Sequence, residues 1–354
     1  MKQEIIDKIN RLANQDEPFL FVINYQGDKA FIRQLSDINP EECLFDFEGR
    51  GNSSDEMKNN SEKIAEISWQ IAPPLYEDYE RSFDIVKNNI MAGNSYLTNL
   101  TCKVPVSCNL SLEDIFHRAK GKYKLLLRRK RNLTPFVCFS PETFVRIKNG
   151  RIYSYPMKGT LDASLPDAEK QLMEDRKEAA EHATIVDLIR NDLSRVAENV
   201  RVDKYRYVDV LHTNKGDILQ TSSEISGRLP EDYRQHLGEI LDAQLPAGSI
   251  TGAPKDKTMQ IIQEAEGYDR GFYTGIMGIY DQGELNSAVM IRFIEEETSP
   301  VDFEADGEKN FKANEGKKPK ESRKLYFKAG GGITSKSDCR REYEEVIQKI
   351  YLPF

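Results

Sequence analysis

The chain has 354 residues, 39% of them hydrophobic, with 50 Lys and Arg against 58 Asp and Glu for a net charge of −8. The length suits one large domain or two ordinary ones, and an acidic balance with both signs mixed along the chain excludes the basic face a nucleic-acid partner needs. No apolar run reaches the roughly 18 residues of a membrane helix, the opening MKQEIIDKINRLANQDEPFLFVINY carries acids and amides where a signal peptide would be apolar, and five scattered cysteines without a CxxC pair read as the reduced thiols of a cytoplasmic protein rather than a zinc site.

Residues 1–12 read as a short amphipathic helix and 19–25 (FLFVINY) as a strand. The polar, glycine-bearing stretch 49–63 reads as a loop. Helical patterns follow near 77–92, 111–119 and 166–199, with strand-like runs between them at 123–128, 135–139 and 143–155. Residues 272–280 and 285–294 flank DQGE as a hairpin. The charged stretch 295–324 reads as a loop excursion between two paired strands, 325–333 returns to strand, and a helix near 338–351 ends the chain. Helices mixed with hairpins, without βαβ alternation, predict an α+β fold. Residues 1–80 form a short N-terminal part of the same domain as 81–354.

The segment SYPMKGTL places Lys158 at a strand end. Asn149-Gly150 is a two-residue hairpin turn, and counting outward from it sets Glu142 opposite Met157. Pro156 cannot donate to the ladder, so the pairing ends or bulges there and Lys158 can turn toward Glu142. A surface ion pair worth under about 1 kcal/mol is the plain use of such residues; a lysine nucleophile beside a general acid is the sharper one. The second hairpin, centred on Gln282-Gly283, sets Tyr273 opposite Arg292, a phenol and a guanidinium suited to gripping a carboxylate.

Helical spacing puts Glu174, Glu178 and Glu181 on one face of the 166–199 pattern and Glu342, Glu345 and Lys349 on one face of the last helix. Such acids usually face water. Two helices each offering one would also hold Mg²⁺, which takes one or two carboxylates plus water and an anionic substrate. The loop LPAGSITGAPKDKT, ahead of the helical pattern Met259, Ile262, Ala265, can offer backbone N–H groups to an anion or be a plain helix-entry turn; its spacing is not that of a nucleotide-binding P-loop. AGGGI (329–333) lets backbone approach a ligand closely.

Taken in order, GNSYLTNLT, FSPETF, SYPMKGT, KEAAEHATIVDLIRNDLSRV, PAGSITGAPK, RGFYTGIMGIY, IRF and AGGGI with EYEE resemble the chorismate-utilising enzymes, the family of anthranilate, isochorismate, salicylate and aminodeoxychorismate synthases. The resemblance runs from about residue 80 to the C-terminus. It implies that family's fold, antiparallel sheets packed as a sandwich with helices outside. The residue before Gly-Thr separates reactions within the family, and a lysine there resembles the aminodeoxychorismate synthase branch, component I, with anthranilate or isochorismate synthase as the alternative. The resemblance implies that Lys158 attacks C2 of chorismate while Glu142 protonates the departing 4-hydroxyl. It implies Mg²⁺ ligation by Glu181 and Glu345 with Glu178 and Glu342 nearby. It further implies substrate binding by Gly159, Thr160, Thr251, Tyr273, Arg292, Gly330, Gly332 and Lys349, and ammonia supplied by a separate glutamine amidotransferase subunit for 4-aminobenzoate and folate biosynthesis. Gln220 stands where many members carry histidine, the part before residue 80 is shorter than usual, and 295–324 lacks a family counterpart.

Overall fold

The structure, a computed structural model, describes residues 1–53, 66–128, 133–213, 216–299 and 322–354. Most of the 49–63 loop and of the 295–324 excursion therefore lies outside the described residues.

Helix α1 (Gln3–Asn14) buries Ile5, Ile6, Ile9, Leu12 and Ala13, a stripe at helical spacing. Strands β1 (Phe19–Ile23), β2 (Ala30–Gln34), β3 (Cys43–Phe47), β4 (Arg50–Gly51) and β5 (Trp69–Ile71) precede helix α2 (Tyr76–Met91), strand β6 (Leu97–Cys108) and helix α3 (Leu112–Arg118). Ser111 and Asp114 close a reciprocal capping box on α3. Strands β7 (Tyr123–Leu127), β8 (Phe136–Ser140), β9 (Thr143–Lys148), β10 (Arg151–Ser154) and β11 (Met157–Asp162) lead into helices α4 (Ala168–Glu174) and α5 (Arg176–Leu193). The ribbon β12 (Glu198–Thr213) and β13 (Gly216–Arg228) follows, then α6 (Leu237–Gln244), β14 (Gly252–Ala253) and α7 (Lys255–Glu266). Strands β15 (Ile276–Asp281), β16 (Glu284–Val289), β17 (Phe293–Ser299) and β18 (Ser322–Ile333) and helix α8 (Cys339–Gln348) complete the order.

The strands form two antiparallel sheets. One runs β11-β13-β10-β9-β16-β15-β1-β2 with β12 beside β13; the other runs β14-β6-β18-β17-β8-β7-β3-β4 with β5 beside β6. Strand β1 shows how they stack. Phe19, Phe21 and Ile23 enter one core with residues of α1 and α6, whereas Leu20 and Val22 enter a second core with Phe45, Leu125 and Phe293 of the other sheet. A strand apolar on both faces is a strand covered on both faces. A third core packs α2, α3, α7 and α8 on the far side of the second sheet. The molecule is the expected α+β sandwich with helices outside, each core aromatic adding about 1.5–3 kcal/mol of transfer free energy. The N-terminal segment is woven into both sheets, β1 and β2 in the first and β3 to β5 in the second.

Three expectations need correction. The helix expected over 166–199 is two helices: the Asp175 carboxylate accepts from the backbone N–H groups of Lys177 and Glu178, capping α5 and ending α4 at Glu174. Glu174 therefore does not share a helix with Glu178 and Glu181. The ribbon β12–β13 and the strand β6 were not foreseen. Both hairpin registers hold close to their turns and fail further out. Arg151 pairs with Lys148 and Tyr153 with Arg146 as counted, but Met157 and Lys158 pair with Ser222 and Thr221 of β13 instead of facing Glu142. Likewise Asp281 pairs with Glu284 and Ile276 with Val289, and Tyr273 and Arg292 lie beyond that ladder. In each case a competing strand or turn captures the backbone groups once the turn's influence ends.

Candidate active site

Lys158 sits on β11 at a bulge that spans Lys158 to Thr160. Its carbonyl accepts from the Thr221 hydroxyl. Gly159 takes φ +75°, and a Cβ there would come within 3.0 Å of Glu178 Oε2, so glycine serves both the backbone and the acid behind it. The Lys158 side chain reaches toward the second sheet: its Nζ lies 3.8 Å from Glu181 Oε2 and 3.5 Å from where a Cβ on Gly332 would stand. Leu97 Cδ1 lies 3.1 Å from that same point, an apolar wall beside the amine. Thr160 pairs with Gln220 but is exposed.

Glu142 lies between β8 and β9, where its carbonyl accepts from Val289 N. Its carboxylate accepts a 2.5 Å hydrogen bond from the Ser249 hydroxyl. Burial pushes its carboxyl above the usual range, against that hydrogen bond and the attraction of Lys158, Arg292 and Lys349. The ladder does not join Glu142 to Lys158, yet tertiary packing places the acid within the electrostatic reach of three site cations.

The acids of the two helices meet through lysines. On α5, Lys177 Nζ lies 3.8 Å from Glu181 Oε1, and burial followed by the charge of Glu181 raises Glu178. On α8, burial raises Glu342, opposed by a Ser337 hydrogen bond and reinforced by Glu345. Burial is the largest influence on Glu345 and works against its ionisation, but Lys349, Lys158 and Lys177 together outweigh it, and the net shift is downward. Lys158 and Lys177, carried on the first sheet's side, thus act on an acid of α8. Among the described residues no three His, Cys, Asp or Glu side chains gather at ligating distance of one point.

Strand β18 closes the site. Lys349 Nζ donates to the Gly330 carbonyl at 3.0 Å and pairs with Glu345 at 2.8 Å. A Cβ on Gly330 would lie 2.6 Å from the Leu100 carbonyl oxygen, so that residue is glycine for the sake of strand packing. Tyr273 is buried, which raises its phenol, while the charges of Arg270 and, less strongly, Arg292 oppose the shift. Arg292 takes φ +53°, and its guanidinium lies 5.6 Å from the centre of the Tyr351 ring. Thr251 is fully buried, its hydroxyl without a hydrogen-bond partner among the described residues.

Sequence reasoning missed several residues here. Ser249 and Tyr351 carried no signal of their own. Lys177 was legible as the i−4 neighbour of Glu181. His182 is fully buried and bonds Ser223 Oγ at 2.7 Å; burial, then Arg206 and Lys158, lower it to about 4, so it is neutral. Asp192 and Lys255, paired at 2.9 Å, tie α5 to the head of α7, and Lys255 also donates to the Gln244 carbonyl.

The two-sheet sandwich thus brings a lysine, a carboxyl held toward its protonated form and acids of two flanking helices to one region. Residues 13–308 match the family model described as chorismate binding enzyme, and the chain belongs to that family of chorismate-utilising enzymes. It is 46% identical to an uncharacterized PabA-like protein of Haemophilus influenzae, over 99% of this chain and 97% of that one. It is 30% identical to aminodeoxychorismate synthase component 1 of Salmonella typhimurium over 77% of this chain but only 56% of that relative, so it spans little more than half of it. The fold also matches the menaquinone-specific isochorismate synthase of Escherichia coli, with a TM-score of 0.67 at 15% identity over 98% of this chain and 80% of that one. No helix among the described residues is long and apolar enough to cross a membrane.

Proposed function

We propose that the chain is the chorismate-aminating component of an aminodeoxychorismate synthase, forming 4-amino-4-deoxychorismate from chorismate and ammonia for 4-aminobenzoate and folate biosynthesis. The observation that carries the reading is Lys158, set beside Leu97 and Gly332 at the sheet-to-sheet junction, within electrostatic reach of Glu142, whose carboxyl burial pushes toward the protonated state. Lys158, once it has given up its proton, attacks C2 through the nitrogen lone pair, both ring double bonds shift toward C4, and the C4–O bond breaks as Glu142 hands its proton to the leaving hydroxyl, which departs as water. Ammonia then adds at C4, both double bonds return, the C2–N bond to Lys158 breaks with its electron pair left on nitrogen, and the proton shed by the new C4 amine returns to Glu142.

Glu181 and Glu345 are the proposed Mg²⁺ ligands, with Glu178 and Glu342 beside them. Their support is chemical: all four offer hard oxygens, and Glu178 and Glu342 are each raised by burial together with a neighbouring acid, a charge excess that a divalent cation relieves. Such an ion keeps several waters and needs only one or two carboxylates. Bound there, it supplies positive charge to one substrate carboxylate. Tyr273, Arg292, Lys349 and the glycine backbone of β18, with Gly159, Thr160 and Thr251, grip the remainder. The ammonia source is a separate glutamine amidotransferase subunit, and the compartment is the cytoplasm.

The test is incubation of the purified chain with chorismate, Mg²⁺ and an ammonium salt, with product identified by mass and retention. Aminodeoxychorismate is expected. Anthranilate or isochorismate as the main product sinks the assignment within the family. Without ammonia, a chorismate-derived adduct on Lys158 by mass spectrometry is the expected mark of the covalent route.

A further inference from the structure

We infer that Arg270 is a positioning residue: it fixes, from beneath, the two segments that carry Thr251 and Tyr273. This deepens the function proposed above and rests on it for the identity of the substrate. Arg270 is 2% exposed. Its Nε donates to Glu266 Oε2 at 2.8 Å and its Nη2 to Glu266 Oε1 at 2.6 Å. Nη2 also donates to the Asn99 carbonyl at 2.7 Å, and Nη1 to the Ile250 carbonyl at 2.9 Å and Thr274 Oγ1 at 3.4 Å. All five guanidinium N–H groups are thereby used, so Arg270 has no donor left for a ligand.

The identity of the partners gives the role. Ile250 immediately precedes Thr251, and Thr274 immediately follows Tyr273. Thr274 Oγ1 donates in turn to the Tyr273 carbonyl at 2.6 Å. Asn99 lies on β6 of the second sheet, and its N–H donates to the Thr251 carbonyl. One buried fork therefore locks a loop before α7, a turn before β15 and a strand of the opposite sheet into one arrangement. Thr274 takes φ +61°, a conformation rare for a β-branched residue and tolerated only where surrounding bonds over-determine it. The guanidinium also lies 4.8 Å from the centre of the Tyr25 ring, and the Arg270 carbonyl accepts from Lys328 Nζ at 2.9 Å. Lysine cannot reproduce a five-donor planar fork.

The experiment measures chorismate affinity by calorimetry, alongside KM and kcat, for the wild type, Arg270→Lys, Thr274→Val and Thr274→Ser, each checked for folding by circular dichroism and melting. Displaced binding groups should raise Kd and KM of a folded Arg270→Lys by about tenfold and leave kcat within about threefold. Thr274→Val loses one acceptor of the fork and should raise KM about threefold, while Thr274→Ser keeps the hydroxyl and restores the wild-type value. Should Arg270→Lys not fold, the Thr274 pair decides alone. Unchanged KM in the folded variants overturns the inference, as does a loss confined to kcat that follows the folded fraction. A wild-type chain that neither binds nor consumes chorismate overturns the functional reading instead, and that is read before any variant.

Discussion

Helices α5 and α8 each bring a pair of acids three residues apart to one site, and each pair has a lysine four residues from its second acid, Lys177 within α5 and Lys349 capping α8, yet the two pairs are neutralised differently. On α8 the order is Glu345 then Lys349, and the ion pair closes to 2.8 Å. On α5 the order is reversed, Lys177 then Glu181, and the separation is 3.8 Å. A helix favours the acid N-terminal to the base at this spacing. So α8 carries its own counter-ion, whereas α5 shares Lys158, 3.8 Å from Glu181, which comes from a different element. Glu181 is thus in ion-pair range of Lys158, while Glu345 is tied to the backbone of β18 through Lys349 and Gly330 and feels Lys158 only as a more distant charge.

The largest expected effect is at Lys158: Lys158→Ala should lower aminodeoxychorismate formation on the order of 10³-fold or more while chorismate still binds, measured by product chromatography and calorimetry together. Unchanged turnover in that variant rules out the covalent route. Glu142→Gln should cost about 10²-fold in kcat. Because burial raises Glu142, the wild-type rate should fall as pH rises through a value above the ordinary carboxylate range, and the variant should lack that limb.

Next comes strand β18. Gly330→Ala forces a Cβ to within 2.6 Å of the Leu100 carbonyl oxygen and should cost about 2–3 kcal/mol of stability. Gly332→Ala meets only the Leu97 and Lys158 side chains; it should cost about 1 kcal/mol or less and chiefly raise KM. Denaturant melts and kinetics separate the two. Glu181→Gln and Glu345→Gln should each weaken Mg²⁺ binding about tenfold by titration calorimetry; equal affinity to the wild type in both contradicts the ligand assignment.

The smallest effect is on stability against pH in metal-free protein. Glu178 and Glu342 are raised on folding, so their contribution is complete below their unfolded values and is lost as pH rises through their higher folded ones. Glu345 is lowered and acts oppositely, its contribution present above its unfolded value and lost as pH falls through the folded one. Glu178→Gln should shallow the decline at rising pH, and Glu345→Gln the decline at falling pH, in melting curves recorded across that range.

Much of the fold was legible because its signals are local. Short apolar runs set β7 and β8, helical spacing set α1, α2, α3 and α8, and Asn149-Gly150 and Gln282-Gly283 fixed the register of their hairpins near the turn. The break at Asp175 was missed because an acid inside a helical pattern looks like a solvated surface residue until its carboxylate is seen on two backbone N–H groups. Strand β6 was obscured by Asn99, Lys103 and Pro105 within it, and the β12–β13 ribbon by charges on its exposed side. The candidate site residues were legible as motifs, but their partners were not: Ser249 on Glu142 and Arg270 beneath Thr251 and Tyr273 depend on segments more than a hundred, or some twenty, residues apart in the chain.

Local signals in the chain specified α1, α2, α3, α8 and the strands beside the two turns, the turn registers and the residue types of the site, because propensity, periodicity and turn chemistry act over a few neighbours. Only the tertiary structure decided which strand captured Lys158, that Glu142 would be pressed toward its protonated form, and that lysines of one sheet's side would face an acid of the other. Those outcomes depend on desolvation and on charges brought together across two packed sheets, and neither quantity exists until the chain has folded.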